Sequence, residues 1–326
     1  MVLESIIGEK RISKNPIIIF FITIAISLAS IVIADLIFPK HGSVLSIAFI
    51  TIGLVPVVFN ILSSEHSDEV IERKSAVTFF ARHFNLLMLY VWIFIGIIFA
   101  FAVAYSFSPQ EERSLWFEEQ TKAFCGISGS DSCVNGVPNS ISGRATAGAF
   151  SACQDPKTSN VTDCTVFILQ NNLGVLIFIL ILSIFYGVGA IFIIAWNASI
   201  LGVFFGEMFL VGEHIKGFGF LQGMLIGHGP PELLAYVFGA VAGAILSSAI
   251  AKGDFFRHGA MSLAKDIIFL VILGLFSVIY GALTEAVGIM GLSELYYILG
   301  FIYVLLIILA VFFYGKKQGK TNTLAF

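Results

Sequence analysis

Charged residues are scarce in this chain of 326 residues, and their scarcity excludes most soluble folds. Lys, Arg, Asp and Glu make up 12% of the sequence, whereas hydrophobic residues make up 58%. Soluble domains carry about 25% charged residues. Only 8 prolines are present, so the long apolar stretches are seldom interrupted. The composition predicts an integral membrane protein whose main partner is the lipid bilayer, and no nucleic-acid partner is expected.

Long apolar stretches account for most of the chain. A helix needs about 20 predominantly apolar residues to span a bilayer. Seven stretches qualify: residues 16–38, 43–62, 84–105, 172–196, 231–251, 265–288 and 295–314. An eighth, residues 198–227, is interrupted by Glu207, Glu213, His214 and Lys216. It predicts a broken fifth helix that either crosses the membrane or is re-entrant. The fold class expected is all-α, a polytopic transmembrane bundle of about eight crossings.

The basic residues predict the orientation, because cytoplasmic loops are enriched in Lys and Arg. They cluster before the first helix, in two linkers and in the tail: Lys10, Arg11, Lys14, Arg73, Lys74, Arg82, Lys252, Arg257, Lys265, Lys316, Lys317 and Lys320. Eight crossings put all of these on one side. We therefore expect a multi-pass protein of the cell membrane, with both termini cytoplasmic and residues 106–164 exterior.

Four parts follow from this organisation. Residues 1–105 form an N-terminal three-helix membrane part that includes a cytoplasmic amphipathic linker at 63–83. Residues 106–164 form the exterior insert, with an amphipathic helix expected at 111–124 and a loop at 126–158. Residues 165–252 form the membrane core. Residues 253–326 form a C-terminal two-helix part with a basic tail.

The exterior insert contains every cysteine of the chain: Cys125, Cys133, Cys153 and Cys164. Confinement to an exterior segment is typical of disulfides. Four cysteines allow three pairings, of which Cys125–Cys133 and Cys153–Cys164 are favoured as sequence neighbours. A zinc site is the alternative, although the cysteine spacings do not match the usual zinc motifs.

Polar residues inside the last apolar stretches are the candidate functional residues. They are Asn171, Asn172, Asn197, Glu207, His228, Glu232 and Glu285. Hydrocarbon solvates none of these groups, so each needs a protein partner, water or an ion. With the orientation above, the asparagine pair lies at the outer end of the fourth helix, Asn197 near the inner side and Glu207 at mid-depth. His228, Glu232 and Glu285 then lie in the outer half.

Several roles remain open for this polar set. Glu232 follows Pro231 in the first turn of a helix, so it could simply cap that helix while His228 bonds a neighbour. His228 and Glu232 could instead be two ligands of a metal ion. They could also bind a cation or relay protons, with Glu207 and Glu285. No catalytic residue is assigned, and no cofactor is expected unless the histidine and glutamate bind a metal.

Glycine pairs at small-xxx-small spacing occur on the fifth and sixth helices. Gly202 and Gly206 form one pair, and Gly239 and Gly243 form the other. Such pairs allow close helix packing. They predict a compact core made of the fourth, fifth and sixth helices, flanked by the first three and the last two.

The core over residues 166–250 resembles the stage II sporulation protein M (SpoIIM, DUF95) family of membrane proteins. An ordered set of residues carries the resemblance: Asn171-Asn172, Gly187 and Gly189, Asn197 with Gly202, His228-Gly229 with Glu232, and Gly243. Gly227 stands where the family usually has proline, and the cysteine-bearing insert has no counterpart in the resemblance.

The resemblance implies a multi-pass membrane protein with a scaffolding or assembly role. In spore-forming bacteria the family member looks like an anchor for cell-wall hydrolases, and the hydrolytic activity belongs to those partners. We therefore expect a homo-oligomer or a membrane complex rather than an enzyme. The alternatives are a transporter or channel with a cation or proton site at Glu207, His228, Glu232 and Glu285, and an intramembrane metal-dependent hydrolase.

Overall fold

The computed structural model describes residues 17–39, 41–72, 79–128, 133–134, 137–138, 160–210, 226–252 and 260–323. Ten helices lie in these ranges: α1 Ile17–Ile37, α2 Gly42–Glu72, α3 Phe79–Phe107, α4 Gln110–Trp116, α5 Glu118–Ser128, α6 Val161–Tyr186, α7 Ala190–Leu210, α8 Gly229–Lys252, α9 Ala260–Ile289 and α10 Ser293–Thr323. Two short antiparallel strands, β1 Cys133–Val134 and β2 Val137–Pro138, lie between α5 and α6.

Eight of the described helices are long and apolar enough to cross a membrane, which confirms the all-α, multi-pass prediction. The candidate spans are Ile17–Ile37, Gly42–Ile61, His83–Phe107, Val161–Phe185, Ala190–Leu210, Gly229–Ala251, Leu263–Ile289 and Ser293–Tyr314. Six of these agree closely with the stretches read from the sequence. Residues 63–72 of the predicted linker continue α2 as helix.

The predicted boundary between the fourth and fifth helices is wrong. The apolar stretch at 172–196 suggested one helix, but α6 begins at Val161 and ends at Tyr186. Gly187 has φ 64°, and its N–H donates to the Ser183 carbonyl at 2.7 Å. That left-handed conformation favours glycine and ends the helix within an unbroken apolar run. Composition alone does not reveal such a stop.

The fifth helix, α7, therefore starts at Ala190 rather than at residue 198. It is continuous through both glycines of its small-residue pair and ends at Leu210 in the described part of the chain. Of the residues on which the predicted break depended, Glu207 lies within the continuous helix, and Glu213, His214 and Lys216 lie outside the described residues. The shift places Glu207 three residues before the end of the described part of α7, and its predicted mid-depth position stays a prediction.

The fifth apolar helix, α7, packs on α3 rather than mainly on α6 and α8. A Cβ at Gly202 would lie 2.5 Å from Phe101 Cβ and 2.7 Å from the Ile98 carbonyl oxygen of α3. One at Gly206 would lie 2.8 Å from Tyr105 Cβ. The small-residue pair thus lets α7 approach α3, as its spacing predicted. The glycine pairs predicted a core made of α6, α7 and α8, and this prediction is wrong because α7 packs mainly on α3.

A second group of helices consists of α6, α8 and α9, which pack against one another, with α10 against α9. The glycine pair of α8 faces α6, since a Cβ at Gly239 would lie 2.6 Å from Leu176 Cδ1. Gly243 approaches Ser183 of α6 in the same way. The outer face of α10 carries exposed apolar side chains such as Phe301, 71% exposed, as a lipid-facing helix would.

Two helices of the insert cap one end of the bundle. The single helix expected at 111–124 is instead α4 and α5, separated by Phe117, whose side chain is fully buried. The Phe117 ring packs against Phe101 and Tyr105 at centroid distances of 5.8 and 5.3 Å. Gln120 Nε2 also donates to the Ser43 carbonyl at the start of α2. We call this end the insert end, and the opposite end, at the starts of α3 and α9, the linker end.

The cysteine prediction falls mostly outside the described side chains. Cys164 is fully buried in the first turn of α6 and carries a disulfide. The side chains of the other three cysteines are not among those described, so the pairings Cys125–Cys133 and Cys153–Cys164 stay predictions. β1 and β2 form a small ribbon within the segment where only loop was expected.

Candidate functional site

The site is built around the start of α8. Gly227 and His228 form a turn, and α8 begins at Gly229. Pro231 lies in its first turn, where its missing N–H has no helical partner to lose. Glu232 follows, and its N–H donates to the His228 carbonyl at 3.2 Å. Glu232 therefore lies at the N-terminal, positive end of the α8 helix dipole, as the sequence predicted.

Asn172 links α6 to this first turn. Its Nδ2 donates to Glu232 Oε1 at 3.0 Å, and its Oδ1 accepts from the Tyr236 hydroxyl at 3.2 Å. Asn171 Nδ2 also donates to the same Oδ1 at 3.2 Å. These two donors fix which side of the Asn172 amide faces Glu232. The asparagine pair lies well inside the span Val161–Phe185, so its predicted place at the helix end is wrong.

His228 links the turn to α10. Its Nδ1 lies 2.6 Å from the Tyr296 hydroxyl, and both residues are buried, 7% and 8% exposed. Two glycines make room for the tyrosine ring: Gly227 on the turn and Gly288 on α9. A Cβ at Gly288 would lie 2.8 Å from Tyr296 Cδ2. The histidine is therefore held by a neighbouring helix.

Glu285 joins the same cluster from α9. It lies one turn after Gly281, on the part of α9 that approaches Glu232. One turn earlier on α9, a Cβ at Gly281 would lie 3.1 Å from Glu232 Cγ and 3.2 Å from Pro231 Cβ. The absence of a side chain at this position brings α9 close to the first turn of α8. The polar cluster of Asn171, Asn172, His228, Glu232, Tyr236, Glu285 and Tyr296, called the α8 cluster below, thus joins α6, α8, α9 and α10.

Glu207 does not belong to the α8 cluster. It lies between α7 and α3, where the Tyr105 hydroxyl donates to its Oε2 at 2.8 Å. The Arg113 guanidinium of α4 lies over the Tyr105 ring, 5.6 Å from its centroid. This second polar contact therefore belongs to the attachment of the insert helices. The predicted grouping of Glu207 with His228 and Glu232 is not what the structure shows.

Asn197 is also apart from the α8 cluster. Its Nδ2 donates to the Ile193 carbonyl of its own helix at 2.8 Å. An intrahelical bond of this kind satisfies an amide in a membrane helix without a partner from another element. Asn197 therefore has a local explanation in the structure.

A third buried polar group, at the linker end, was missed by the sequence reasoning. His83 Nε2 lies 3.3 Å from Asp266 Oδ2, and the Tyr314 hydroxyl donates to Asp266 Oδ1 at 2.9 Å. The Tyr314 ring stacks on Phe269 at 3.8 Å. These contacts join the starts of α3 and α9 to α10. The carboxylate of Asp266 inside an apolar stretch was the available signal.

Tyrosines are the other residues that sequence reasoning missed. Tyr105, Tyr236 and Tyr296 each supply a hydroxyl to one of the polar residues named from the sequence. A tyrosine counts as apolar in a hydrophobic stretch, so its hydroxyl is easily overlooked. Which tyrosines meet a polar partner depends on helix packing.

Within the described residues, the structure shows no third ligand for a metal ion bound by His228 and Glu232. No group of three or more His, Cys, Asp and Glu side chains there could hold a metal ion. His228 Nδ1 is bound to Tyr296, and Glu232 Oε1 is bound to Asn172. Metal binding by His228 and Glu232 stays a prediction, and no step is derived from it.

Eight apolar spans and a buried polar cluster define a multi-pass α-helical membrane protein. The chain belongs to the SpoIIM family, because the family model described as stage II sporulation protein M matches residues 86–288. The match runs from α3 to α9 and so extends beyond the 166–250 core in which the resemblance was recognised. No curated protein and no solved structure matches the chain.

Proposed function

We propose that the chain is a scaffold that assembles a membrane complex, with α4 and α5 as its partner-facing platform. The proposal places the protein in the cell membrane with both termini cytoplasmic, and it places the insert, stapled by disulfides, outside. Family membership supports the assembly role. The observation that carries it is the attachment of the insert: Phe117, Gln120 and Arg113 fix α4 and α5 to the ends of α2 and α3.

One side of the platform is packed against the bundle, and the other side is exposed. Phe117 and Gln120 are fully buried against the bundle, whereas Leu115 is 52% exposed. Lys122 Nζ lies 2.6 Å from Glu118 Oε1 and 2.9 Å from Glu119 Oε1, and these hydrogen bonds raise the pKa of Lys122. A surface held rigidly by a membrane bundle loses little conformational freedom when a partner docks.

The α8 cluster supports the same role in the second group of helices. Asn171, Asn172, Glu232 and Tyr236 bond one another across α6 and α8, and His228 bonds Tyr296 of α10. Interhelical hydrogen bonds of membrane proteins contribute about 0.6 kcal/mol each on average. The cluster would then keep the second group of helices, α6, α8, α9 and α10, in one arrangement beside the helices that hold the platform.

Photocrosslinking in native membranes tests the platform. A photoreactive amino acid replaces Leu115 on α4 in one variant and Phe178, an exposed residue of the α6 lipid face, in the control. The proposal expects one protein adduct at Leu115 that recurs between preparations and is missing at Phe178. Absence of a protein adduct at Leu115, in a variant that remains folded in the membrane, would reject the platform.

A second candidate is a transporter or channel for protons or cations, and the presence of Glu232 and Glu285 on the two helices that approach each other at Gly281 favours it. Ionisable residues at membrane depth often mark ion pathways. Flux into liposomes containing the purified protein tests this candidate, with Glu285→Gln as the variant. Flux that the variant loses while it stays folded would move the function from assembly to transport.

A further inference from the structure

An amide side chain lies on the outer face of α6, near the middle of its membrane span. Gln170 is exposed and lies three residues before Leu173, the midpoint of the span Val161–Phe185. At 1.5 Å per residue, roughly 14 Å of helix separate Gln170 from the start of the span. Its short side chain therefore cannot reach the lipid headgroups, and hydrocarbon offers an amide no hydrogen bond.

Within the described part of the chain, no residue satisfies this amide. The Gln170 side chain makes no hydrogen bond to any of the described residues. Its neighbour Asn171 is also exposed, but Asn171 Nδ2 donates to Asn172 Oδ1 at 3.2 Å. Gln170 is thus the amide of this face that needs a partner from outside the chain.

The exposed positions of the other spans are of the kind that lipid requires. In the other described spans, the exposed residues more than five positions from either end are apolar, such as Ile95 of α3, Ile272 of α9 and Leu305 of α10. Asparagine and glutamine inside membranes typically form hydrogen bonds between helices. The exposed amide at mid-span therefore indicates that a polar group of another helix covers this face in the membrane.

Gln170 lies in a stripe of exposed residues that runs along α6. Val166, Ile177 and Ile181 are exposed and share its face, because they are four, seven and eleven residues away from it on a helix of 3.6 residues per turn. We call these four residues the Gln170 stripe. Other faces of α6 pack on α8 and α9. The stripe carries no charge, so nothing in it selects a partner of opposite charge.

A second copy of the chain meets the needs of this stripe. Copies inserted in one orientation hold Gln170 at the same depth, so a two-fold axis along the membrane normal brings the two amides face to face. An amide carries both donors and an acceptor, so two amides can exchange two hydrogen bonds. We propose that the chain forms a dimer in the membrane through the Gln170 stripe, with the Gln170 amides of the two copies bonded to each other. The dimer does not depend on the platform at the insert end.

Photocrosslinking of the full-length chain in native membranes identifies the occupant of the stripe. A photoreactive amino acid replaces Ile177 in one variant and the next residue, Phe178, in the control. Both positions are exposed, but Phe178 lies about 100° further around the helix. The proposal expects an adduct of two copies of the chain at position 177 and none at position 178. An adduct with a different protein at position 177, or with lipid alone, would overturn the dimer.

The affinity of the dimer tests the role of the amide. Energy transfer between donor-labelled and acceptor-labelled copies in liposomes is followed as the protein is diluted in lipid. Gln170→Leu should weaken the dimer about tenfold, because two hydrogen bonds between helices are lost and lipid solvates leucine as well as a protein contact does. The variant should fold as a single copy, since the Gln170 side chain bonds none of the described residues.

Asn171→Leu is the matched control for this measurement. It removes an exposed amide at nearly the same depth, but one that is bonded within its own chain and lies off the stripe. The proposal expects the control to keep the affinity of the unchanged chain. Equal affinities of the unchanged chain and folded Gln170→Leu would overturn the proposal, and so would a larger loss in Asn171→Leu.

Discussion

The Tyr296 hydroxyl lies 2.6 Å from His228 Nδ1, so the start of α10 is bonded to the turn that opens α8. The Gly227 backbone passes directly against the Tyr296 ring. A residue with a side chain at 227 would displace this ring. This chain has glycine at position 227, where the family usually has proline. The Tyr296 ring occupies the space that a side chain at this position would need.

Gly227→Ala is expected to destabilise the protein, because the new methyl group would push Tyr296 away from His228. Overpacking of a close contact costs about 1–3 kcal/mol. Thermal unfolding in nanodiscs measures the loss. Gly174→Ala on α6 is the matched control, since a Cβ there meets nothing within 4 Å. Equal stability of the two variants would show that Tyr296 does not pack on Gly227.

Asn172→Ala should destabilise the bundle much more than Asn171→Ala. Asn172 is buried and bonded to Glu232, Tyr236 and Asn171, whereas Asn171 is exposed and has one described side-chain bond. Leaving a buried partner unsatisfied costs about 1–3 kcal/mol. Reversible denaturation with both variants measures the difference. If the neighbouring asparagines proved equally sensitive, the asymmetry of the cluster would be wrong.

Tyr105→Phe should weaken the contact between α3 and α7, because it removes the hydroxyl that donates to Glu207. Combining it with Glu207→Leu, which removes the accepting oxygen, completes a double-mutant cycle. Residues in direct contact show coupling energies of about 0.5–3 kcal/mol, whereas independent residues add within about 0.5 kcal/mol. Strict additivity would place Glu207 in a different environment from the one the structure shows.

The polar contact at the linker end gives a parallel expectation. Tyr314→Phe keeps the ring that stacks on Phe269 but removes the hydroxyl that Asp266 accepts from. The loss of one hydrogen bond to a charged group costs about 1.5–3 kcal/mol. Tyr303→Phe, which loses a bond to the neutral Ser277 hydroxyl, is the comparison. Unfolding measurements should find the Tyr314 variant less stable, and the reverse order would contradict the assignment.

The proposed orientation is tested by labelling introduced cysteines in intact cells with a membrane-impermeant maleimide. Glu112→Cys lies on the exposed surface of α4, and Met261→Cys, at a site 70% exposed, lies at the start of α9. We expect labelling at 112 in intact cells and at 261 only after the membrane is opened. The opposite pattern would invert the proposed topology.

Much of the fold was predictable because the apolar stretches are long. Six spans were located closely from composition alone, since a bilayer dictates both their length and their apolar character. The turn at Gly187 was not predictable, because a single left-handed glycine ends α6 inside a continuous apolar run. Because this helix end was missed, the predicted bounds of α6 and α7 were displaced along the chain, and Asn172 was wrongly placed at a helix end.

The acids and amides of the candidate site could be predicted from the sequence, but the residues that they bond could not. Glu232, Glu285 and Asn172 stand out because hydrocarbon does not solvate them. Their tyrosine partners do not stand out, and Asp266 was passed over inside an apolar stretch. The position of Glu207 against Tyr105 depends on the packing of α7 on α3, which the spacing of Gly202 and Gly206 allows but does not direct.

The most direct test is a double-mutant cycle between Asn172→Ala and Glu232→Ala, measured by reversible unfolding in nanodiscs. The central claim is that these two residues join α6 to α8 inside the membrane. The account predicts a coupling energy between about 0.5 and 3 kcal/mol. Additive effects in two folded single variants would contradict it, because residues that bond each other directly cannot act independently.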